Sequence, residues 1–198
     1  MVVADGIRIT ELSKSYDGKA VLDTLSLDIP YGDNLCLMGP SGCGKTTLLH
    51  ILMGFVHPDN GTITGLENRR LAPVFQEDRL CENLSAGANL RLVCPKKLSP
   101  VALLAALEAV GLADSLHKPV HQLSGGMRRR VGIARALISG GDILLLDEPF
   151  KGLDDDTREA VMLYVKQAST DKTLIWVTHD EREAAFMGSR IVRLGTAQ

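Results

Sequence analysis

The sequence predicts an α/β fold: a mostly parallel sheet covered by helices on both faces, an antiparallel β portion at the N-terminus and a helical insertion near the middle. Three observations lead there. From residue 34 onward, short apolar runs of strand length alternate with helix-length stretches, the pattern of parallel strands joined by crossover helices. Two β-type runs share residues 7–28 and are broken by Asp17-Gly18, a turn dipeptide. Residues 82–122 become rich in Ala and Leu with little β-branching, a composition that favours helix.

The elements follow in order. Asn34 to Met38 reads as a third strand and runs into Gly39-Pro-Ser-Gly-Cys-Gly-Lys-Thr-Thr47. Leu48, Leu49, Ile51, Leu52 and Met53 then form a helix-length apolar stretch that ends at Gly54. Ser99-Pro100 is an N-cap and first-position pair; Leu103, Leu107 and Val110 follow at helical spacing, and Gly111 stops the helix. Ser124-Gly-Gly126 opens a helix carrying Ile133, Ala134, Leu137 and Ile138, closed by Gly140-Gly-Asp142. Ile143 to Leu146 is a continuous apolar run of the kind found in buried parallel strands. A helix is expected from about Asp156 to Gln167, with acids at its positive end. A strand over Thr173–Thr178, a helix over Glu181–Met187 and a strand over Ile191–Leu194 complete the pattern. Neither an internal repeat nor a long linker interrupts it. The chain therefore reads as one domain over 1–198, with a helical part over roughly 82–139 inserted within it.

Composition narrows the function classes. With 198 residues, 45% of them hydrophobic and 23% charged, the chain can bury an adequate core. A net charge of −2 and an aromatic content of 4% speak against nucleic-acid binding, which calls for a basic surface or a stacking platform. Cys36, Cys43, Cys81 and Cys94 show no metal-type or disulfide-type spacing. The start Met1-Val-Val-Ala-Asp-Gly6 lacks the charged and apolar regions of a secretion signal. No apolar run approaches the ~20 residues of a membrane span. The expectation is a reduced, cytosolic chain; if it works at a membrane, another chain must supply the span.

The chemistry lies in three elements. Gly39-x-x-x-x-Gly44-Lys45-Thr46 matches the phosphate-binding loop in full, between a strand and a helix as that loop requires. Backbone amides from Gly39, Ser41, Gly42, Cys43, Gly44 and Thr47 would line the phosphates, with Pro40, which has no N–H, shaping the loop between them. Lys45 would reach the β- and γ-phosphates, and Thr46 would hold Mg²⁺ through its hydroxyl. The second element is Ile143-Leu-Leu-Leu-Asp147-Glu148, an apolar strand ending in two acids at the edge where open α/β sheets bind ligands. Asp147 suits the Mg²⁺ shell, and Glu148 suits a general base or water-orienting group for attack on a γ-phosphate. The third is Leu123-Ser-Gly-Gly-Met127, a helix mouth with a hydroxyl and free amides, about twenty residues before the acidic strand.

In that order, these elements resemble the ATP-binding subunit of ABC transporters over nearly the whole chain, from Ile7 to Leu194. The resemblance implies an N-terminal antiparallel β subdomain, a helical subdomain, ATP and Mg²⁺ as ligands, and a head-to-tail dimer that sandwiches two ATP molecules. It implies that Ser124, Gly125 and Gly126 act on the γ-phosphate held by a second copy. Gln76, in Val74-Phe-Gln-Glu77, looks like the glutamine that contacts Mg²⁺ and the attacking water. His179, in Val177-Thr-His-Asp180, is similar to the histidine that holds the γ-phosphate. Asp154, in Gly152-Leu-Asp154, resembles the aspartate that communicates across the dimer. Tyr16, 23 residues before Gly39, stands where the family stacks an aromatic ring on adenine.

Phe75-Gln-Glu-Asp-Arg-Leu80, Leu123-Ser-Gly-Gly-Met127, Asp147-Glu-Pro-Phe150 and Leu153-Asp-Asp-Asp-Thr-Arg158 resemble the bacterial nitrate, sulfonate and taurine importer group, in which Met commonly stands at the position of Met127. That likeness implies an integral membrane permease and an extracytoplasmic solute-binding protein as partners, with the chain on the cytoplasmic face of the membrane. Three departures stand out. Arg129 occupies a position where Gln is frequent; Cys81-Glu82-Asn83 replaces a Pro-Trp step in the segment facing the permease; and the stretch between Phe55 and Gln76 is compressed, with no room after Leu194 for a regulatory domain. Arg128-Arg-Arg130 reads as a solvated helix face, Cys43 as a small filler, and the leucines of 84–117 as core. Two further readings stay open: a soluble nucleotide-gated module (or an exporter subunit) and a small-molecule kinase built on the same loop.

Overall fold

The computed structural model describes residues 6–94 and 98–195. Residues 1–5, which hold most of the N-terminal stretch considered above, lie outside this range. An antiparallel sheet comes first. Strands β1 (Gly6–Tyr16) and β2 (Lys19–Pro30) pair across the turn at Asp17-Gly18, and β4 (Asn60–Thr64) adds to the other side of β1. The second sheet is parallel throughout, in the order β5 (Leu71–Val74), β6 (Ile143–Asp147), β7 (Thr173–Val177), β3 (Asn34–Met38), β8 (Arg190–Arg193). Helices α1 (Lys45–Leu52), α5 (Asp155–Ala168) and α6 (Glu181–Met187) connect or cover it. Helices α2 (Ala86–Arg91), α3 (Pro100–Glu108) and α4 (Gly125–Ile138) make the helical part, with two 3₁₀ turns at Ala113–Ser115 and Val120–Gln122.

Strand pleating explains why the central strands read as unbroken apolar runs. Leu35 and Leu37, Ile143 and Leu145, and Ile175 and Val177 face α1 and the antiparallel sheet. Their neighbours Cys36 and Met38, Leu144 and Leu146, and Leu174 and Trp176 face the helical side. Both faces are covered, so alternation disappears from the sequence. The Trp176 indole N–H is satisfied by Asn34 Oδ1 at 3.1 Å and Ser189 Oγ at 3.0 Å, which lets the ring be fully buried. Leu90, Leu103 and Leu107 are core, as expected, but Leu84, Leu92 and Leu104 are exposed, so the leucines of 84–117 are core only in part; the Ser99 cap holds, its Oγ accepting from Ala102 N at 3.2 Å.

Two strands were not expected. β4 carries only one half-buried side chain, Ile63, so no apolar period marks it. β5 is four residues long and contains Pro73, which fits its place at the edge of the parallel sheet. The expectation that Arg128-Arg-Arg130 forms a solvated face is overturned at Arg129, which is buried to 9% exposure. Its guanidinium replaces water with backbone carbonyls, as described below.

Candidate functional site

The loop Gly39–Gly44 leaves β3 at its C-terminal end and delivers the chain into α1. Gly44 caps that helix with φ +97 and no side-chain cap. A Cβ there would stand 2.7 Å from Val21 O and from Leu22 Cδ2, so only glycine lets the loop lie against β2. The Lys45 ammonium donates to Gly39 O and Pro40 O, both at 2.8 Å, and lies 3.6 Å from Cys43 Sγ. The positive charge is thereby folded over the loop's own carbonyls, where its amides open to the cavity. Cys43 is half-buried, in keeping with a filler packed within the loop.

Two strands away, β6 ends in Asp147 and Glu148. Thr46 Oγ1 donates to Asp147 Oδ2 at 2.8 Å, joining the start of α1 to the end of β6. Asp147 is 3% exposed, and its Oδ1 is buried without a hydrogen-bond partner. Burial pushes its carboxyl above the ordinary aspartate range, against the hydrogen bond from Thr46, and the nearby Glu148 charge pushes the same way as burial. Glu148 sits at φ +46, a left-handed conformation costly for a side chain with a Cβ, and its amide donates to Val177 O at 3.1 Å. Glu148 and the loop line the same cavity. Burial raises the Glu148 pKa, but Lys151 at 2.6 Å and the His179 ring outweigh it, so the carboxyl is held below the usual range. His179 Nδ1 lies 3.6 Å from Glu148 Oε1, with most of the ring open to solvent.

A cavity of about 560 Å³ joins these groups. It is lined by Gly39, Ser41, Gly42, Gly44, Lys45, Thr46 and Thr47 from the loop and α1, by Asp147 at the end of β6 with Glu148 and Lys151 just past it, and by Val177 and His179 at the end of β7. Gln76 lines it from the segment after β5, and Tyr16, 45% exposed at the end of β1, lines its far wall. Residues from five separate parts of the chain thus meet where the parallel strands end. The structure does not bring Ser124, Gly125, Gly126 or Asp154 into this cavity. Ser124 caps α4, its Oγ accepting from Met127 N at 3.3 Å, and Gly126 packs near Gly152 O and Leu153. Asp154 caps α5, accepting from Thr157 N at 3.0 Å. These four form a second, exposed surface.

Comparison with known proteins follows the same lines. A family model described as ABC transporter matches residues 22–151, more than half of the chain. The chain belongs to the ABC transporter family. This ABC-family chain is 41% identical, over 95% of its length, to the spermidine/putrescine import ATP-binding protein PotA of Marinobacter nauticus, and spans 55% of that protein. It thus spans about half the length of the polyamine-import relatives it matches. It is 40% identical over 95% of its length to the taurine import ATP-binding protein TauB of Yersinia pestis, covering 79% of that relative. Among solved structures, a dimeric ATP-binding cassette in a post-hydrolysis state with ADP and Pi superposes with a TM-score of 0.85 at 29% identity. That match covers 95% of this chain and 94% of the other. The likeness is broader than the nitrate, sulfonate and taurine group, since polyamine and taurine import proteins match at nearly equal identity.

Two contributors escaped the sequence reading. Lys151, three residues past Glu148, sets the charge balance of that carboxylate, and the i, i+3 spacing of opposite charges was the available signal. Arg129 was read as a solvated residue, although it lies on the buried side of α4.

Proposed function

We propose that the chain is the ATP-binding and ATP-hydrolysing subunit of an ABC importer. The observation that carries this reading is the convergence of Lys45, Thr46, Gln76, Asp147, Glu148 and His179 on one cavity at the C-terminal ends of the parallel strands. The loop amides and the start of α1 suit the phosphate chain of a nucleotide, and the Tyr16 ring suits stacking on its base. Thr46 and Asp147 fit Mg²⁺: both offer hard oxygen donors, and the orphaned Asp147 Oδ1 is an acceptor with nothing yet to bind. Thr46 and Asp147, with Gln76 beside them in the cavity, would hold Mg²⁺, which would supply positive charge to the phosphate chain.

The chain's own residues divide the remaining work. Lys45 exchanges the Gly39 and Pro40 carbonyls for phosphate oxygens. Glu148, held ionised by Lys151 and His179, accepts the proton of an attacking water, and His179 donates to the γ-phosphate. Ser124, Gly125 and Gly126 serve the cavity of a second copy in a head-to-tail dimer, with Asp154 beside that contact; the dimeric cassette with ADP and Pi supports this arrangement. The single domain over 1–198, with helices from about 82–139 set into it, then acts as one motor unit.

Import is supported by the names of the polyamine and taurine relatives. The chain would sit on the cytoplasmic face of the membrane beside an integral membrane permease, served by an extracytoplasmic solute-binding protein. Among the described residues, no helix is long and apolar enough to cross a membrane. The cargo is a small solute: nitrate, sulfonate or taurine by the local phrases, with a polyamine as the second reading favoured by the Marinobacter relative. Purification in mild detergent from the native host, with identification of copurifying chains, tests this reading. A permease and a solute-binding protein that takes up one of these cargoes are expected; a soluble partner or an export permease would refute it.

A further inference from the structure

Three residues on one face of α4, Arg129, Gly132 and Arg135, meet the segment that carries Gln76. Arg129 donates through its two terminal nitrogens to Phe75 O and Gln76 O. Its Nε lies 3.5 Å from Asp78 Oδ1, an oxygen that has no hydrogen-bond partner and depends on this charge. A Cβ on Gly132 would lie 4.0 Å from Asp78 O, so the segment runs directly over the helix there. Arg135 donates to Arg79 O at 2.9 Å and to Asp78 O at 3.5 Å. Burial disfavours the charged form of Arg135, and these two carbonyls offset part of that cost. The far end of the segment is fixed as well, by Arg79 stacked 4.1 Å over the Phe75 ring.

We propose that Arg129 is a positioning residue for Gln76: its guanidinium straps residues 75–78 to α4, so the helix that opens with Ser124 sets where Gln76 stands in the cavity. A fork with two parallel N–H donors can hold two successive carbonyls at once, which a single amide cannot do with the same rigidity. Arg129 thus links the exposed surface at Ser124 to the cavity wall at Gln76 through one rigid helix. Movement of α4 on meeting a second copy would move Gln76 with it. The kinetic consequence rests on the hydrolytic reading above; the strap itself does not.

The test compares wild type with Arg129→Met, which keeps the apolar stem, and with Arg129→Gln, which keeps an amide donor but no charge. Amide hydrogen exchange of the ligand-free chain is read separately over 75–80 and 39–47. Arg129→Met is expected to speed exchange at 75–80 by about tenfold while leaving 39–47 unchanged, because only the first segment loses its partner. In Mg-ATP turnover, kcat should fall by roughly tenfold with KM within about twofold, since a misplaced positioning group costs rate more than binding. Arg129→Gln should recover part of both losses, and it carries the comparison alone should the methionine variant not fold. Unchanged exchange at 75–80, or acceleration spread equally to 39–47, overturns the strap. A variant with wild-type kcat overturns the positioning role. A wild-type chain that does not turn over Mg-ATP refutes the hydrolytic reading and the kinetic half of the proposal, and the exchange comparison still decides the strap.

Discussion

Replacing Asp147 by Asn should stabilise the ligand-free protein. Asp147 is 3% exposed, and only one of its two oxygens is hydrogen-bonded, to Thr46 at 2.8 Å. The other is buried with no partner. Leaving such a group unsatisfied costs about 1–3 kcal/mol, and more when it is charged. Asn keeps an acceptor for the Thr46 hydroxyl and removes the charge, while its amide still lacks a partner. A net gain of about 1–2 kcal/mol is therefore expected. Each kcal/mol is worth about 2–4 °C in a chain of this size.

The pH dependence gives the same prediction a sign. Burial raises the folded-state pKa of Asp147 above its unfolded value, so the folded protein binds this proton more readily than the unfolded chain. Stability from this group is then greatest when it is protonated and falls as pH rises through the interval between the two values. Asn abolishes that slope, so the variant's advantage should widen as pH rises from the ordinary aspartate value to the raised folded one, and stay level above it. Glu148 works in the opposite sense: its folded pKa is depressed, and its contribution is lost as pH falls through that lower value. It is present in both proteins and largely cancels in the difference. Thermal unfolding with EDTA and no nucleotide, followed by circular dichroism from about pH 4 to 8, reads the effect. Mg-ATP should reverse the order, stabilising wild type more than the variant. A variant that melts at or below wild type without ligand, or an advantage that shrinks toward neutral pH, would refute the reasoning.

Lys45→Ala should abolish ATP binding, because the loop keeps its amides but loses the only charge folded over Gly39 and Pro40; undiminished affinity by calorimetry would sink the phosphate-loop assignment. Glu148→Gln should bind ATP, hydrolyse it about 10²–10⁴-fold more slowly and accumulate as a dimer on size exclusion, the range expected for loss of a general base. Turnover at the wild-type rate would remove Glu148 from that role. Gly195→Ala should weaken ATP binding by about tenfold, because a loop displaced even slightly loses aligned amides. A Cβ there would stand 2.7 Å from Cys43 Cβ, at φ +77. Unaltered affinity would show that the end of β8 does not support the loop.

The fold was readable wherever burial is two-sided or a turn is chemically marked. β3, β6 and β7 are covered on both faces and so appear as apolar runs, and Asp17-Gly18 marks the β1–β2 hairpin. β4 and β5 were not readable, because one is nearly all exposed and the other is a short edge strand with a proline. The cavity was readable because a phosphate loop is a device of consecutive backbone groups: its function resides in residues that are neighbours in sequence. Gln76, His179 and Tyr16 have no such local mark, and only the resemblance to ABC proteins brought them forward. Their meeting around one cavity is what the structure adds.

Arg129 shows why the strap was missed and how it was nonetheless within reach. Charge counting treats three consecutive arginines as one solvated block. On an α-helix, however, consecutive residues point about 100° apart, so three of them span more than half the circumference. α4 buries Val131, Gly132, Ile133, Ala134, Ala136 and Leu137. A helix with so wide a buried face cannot keep residues 128, 129 and 130 all in water. Arg129 falls on the same stripe as Gly132 and Arg135, and a buried arginine requires acceptors. The Phe75 and Gln76 carbonyls supply them. Helical geometry therefore identifies which arginine turns inward, but the partner lies more than fifty residues away in sequence. That separation explains why nothing in the sequence tied the departure from the family's usual Gln to Gln76: the bonds run from α4 to a distant segment of the cavity wall.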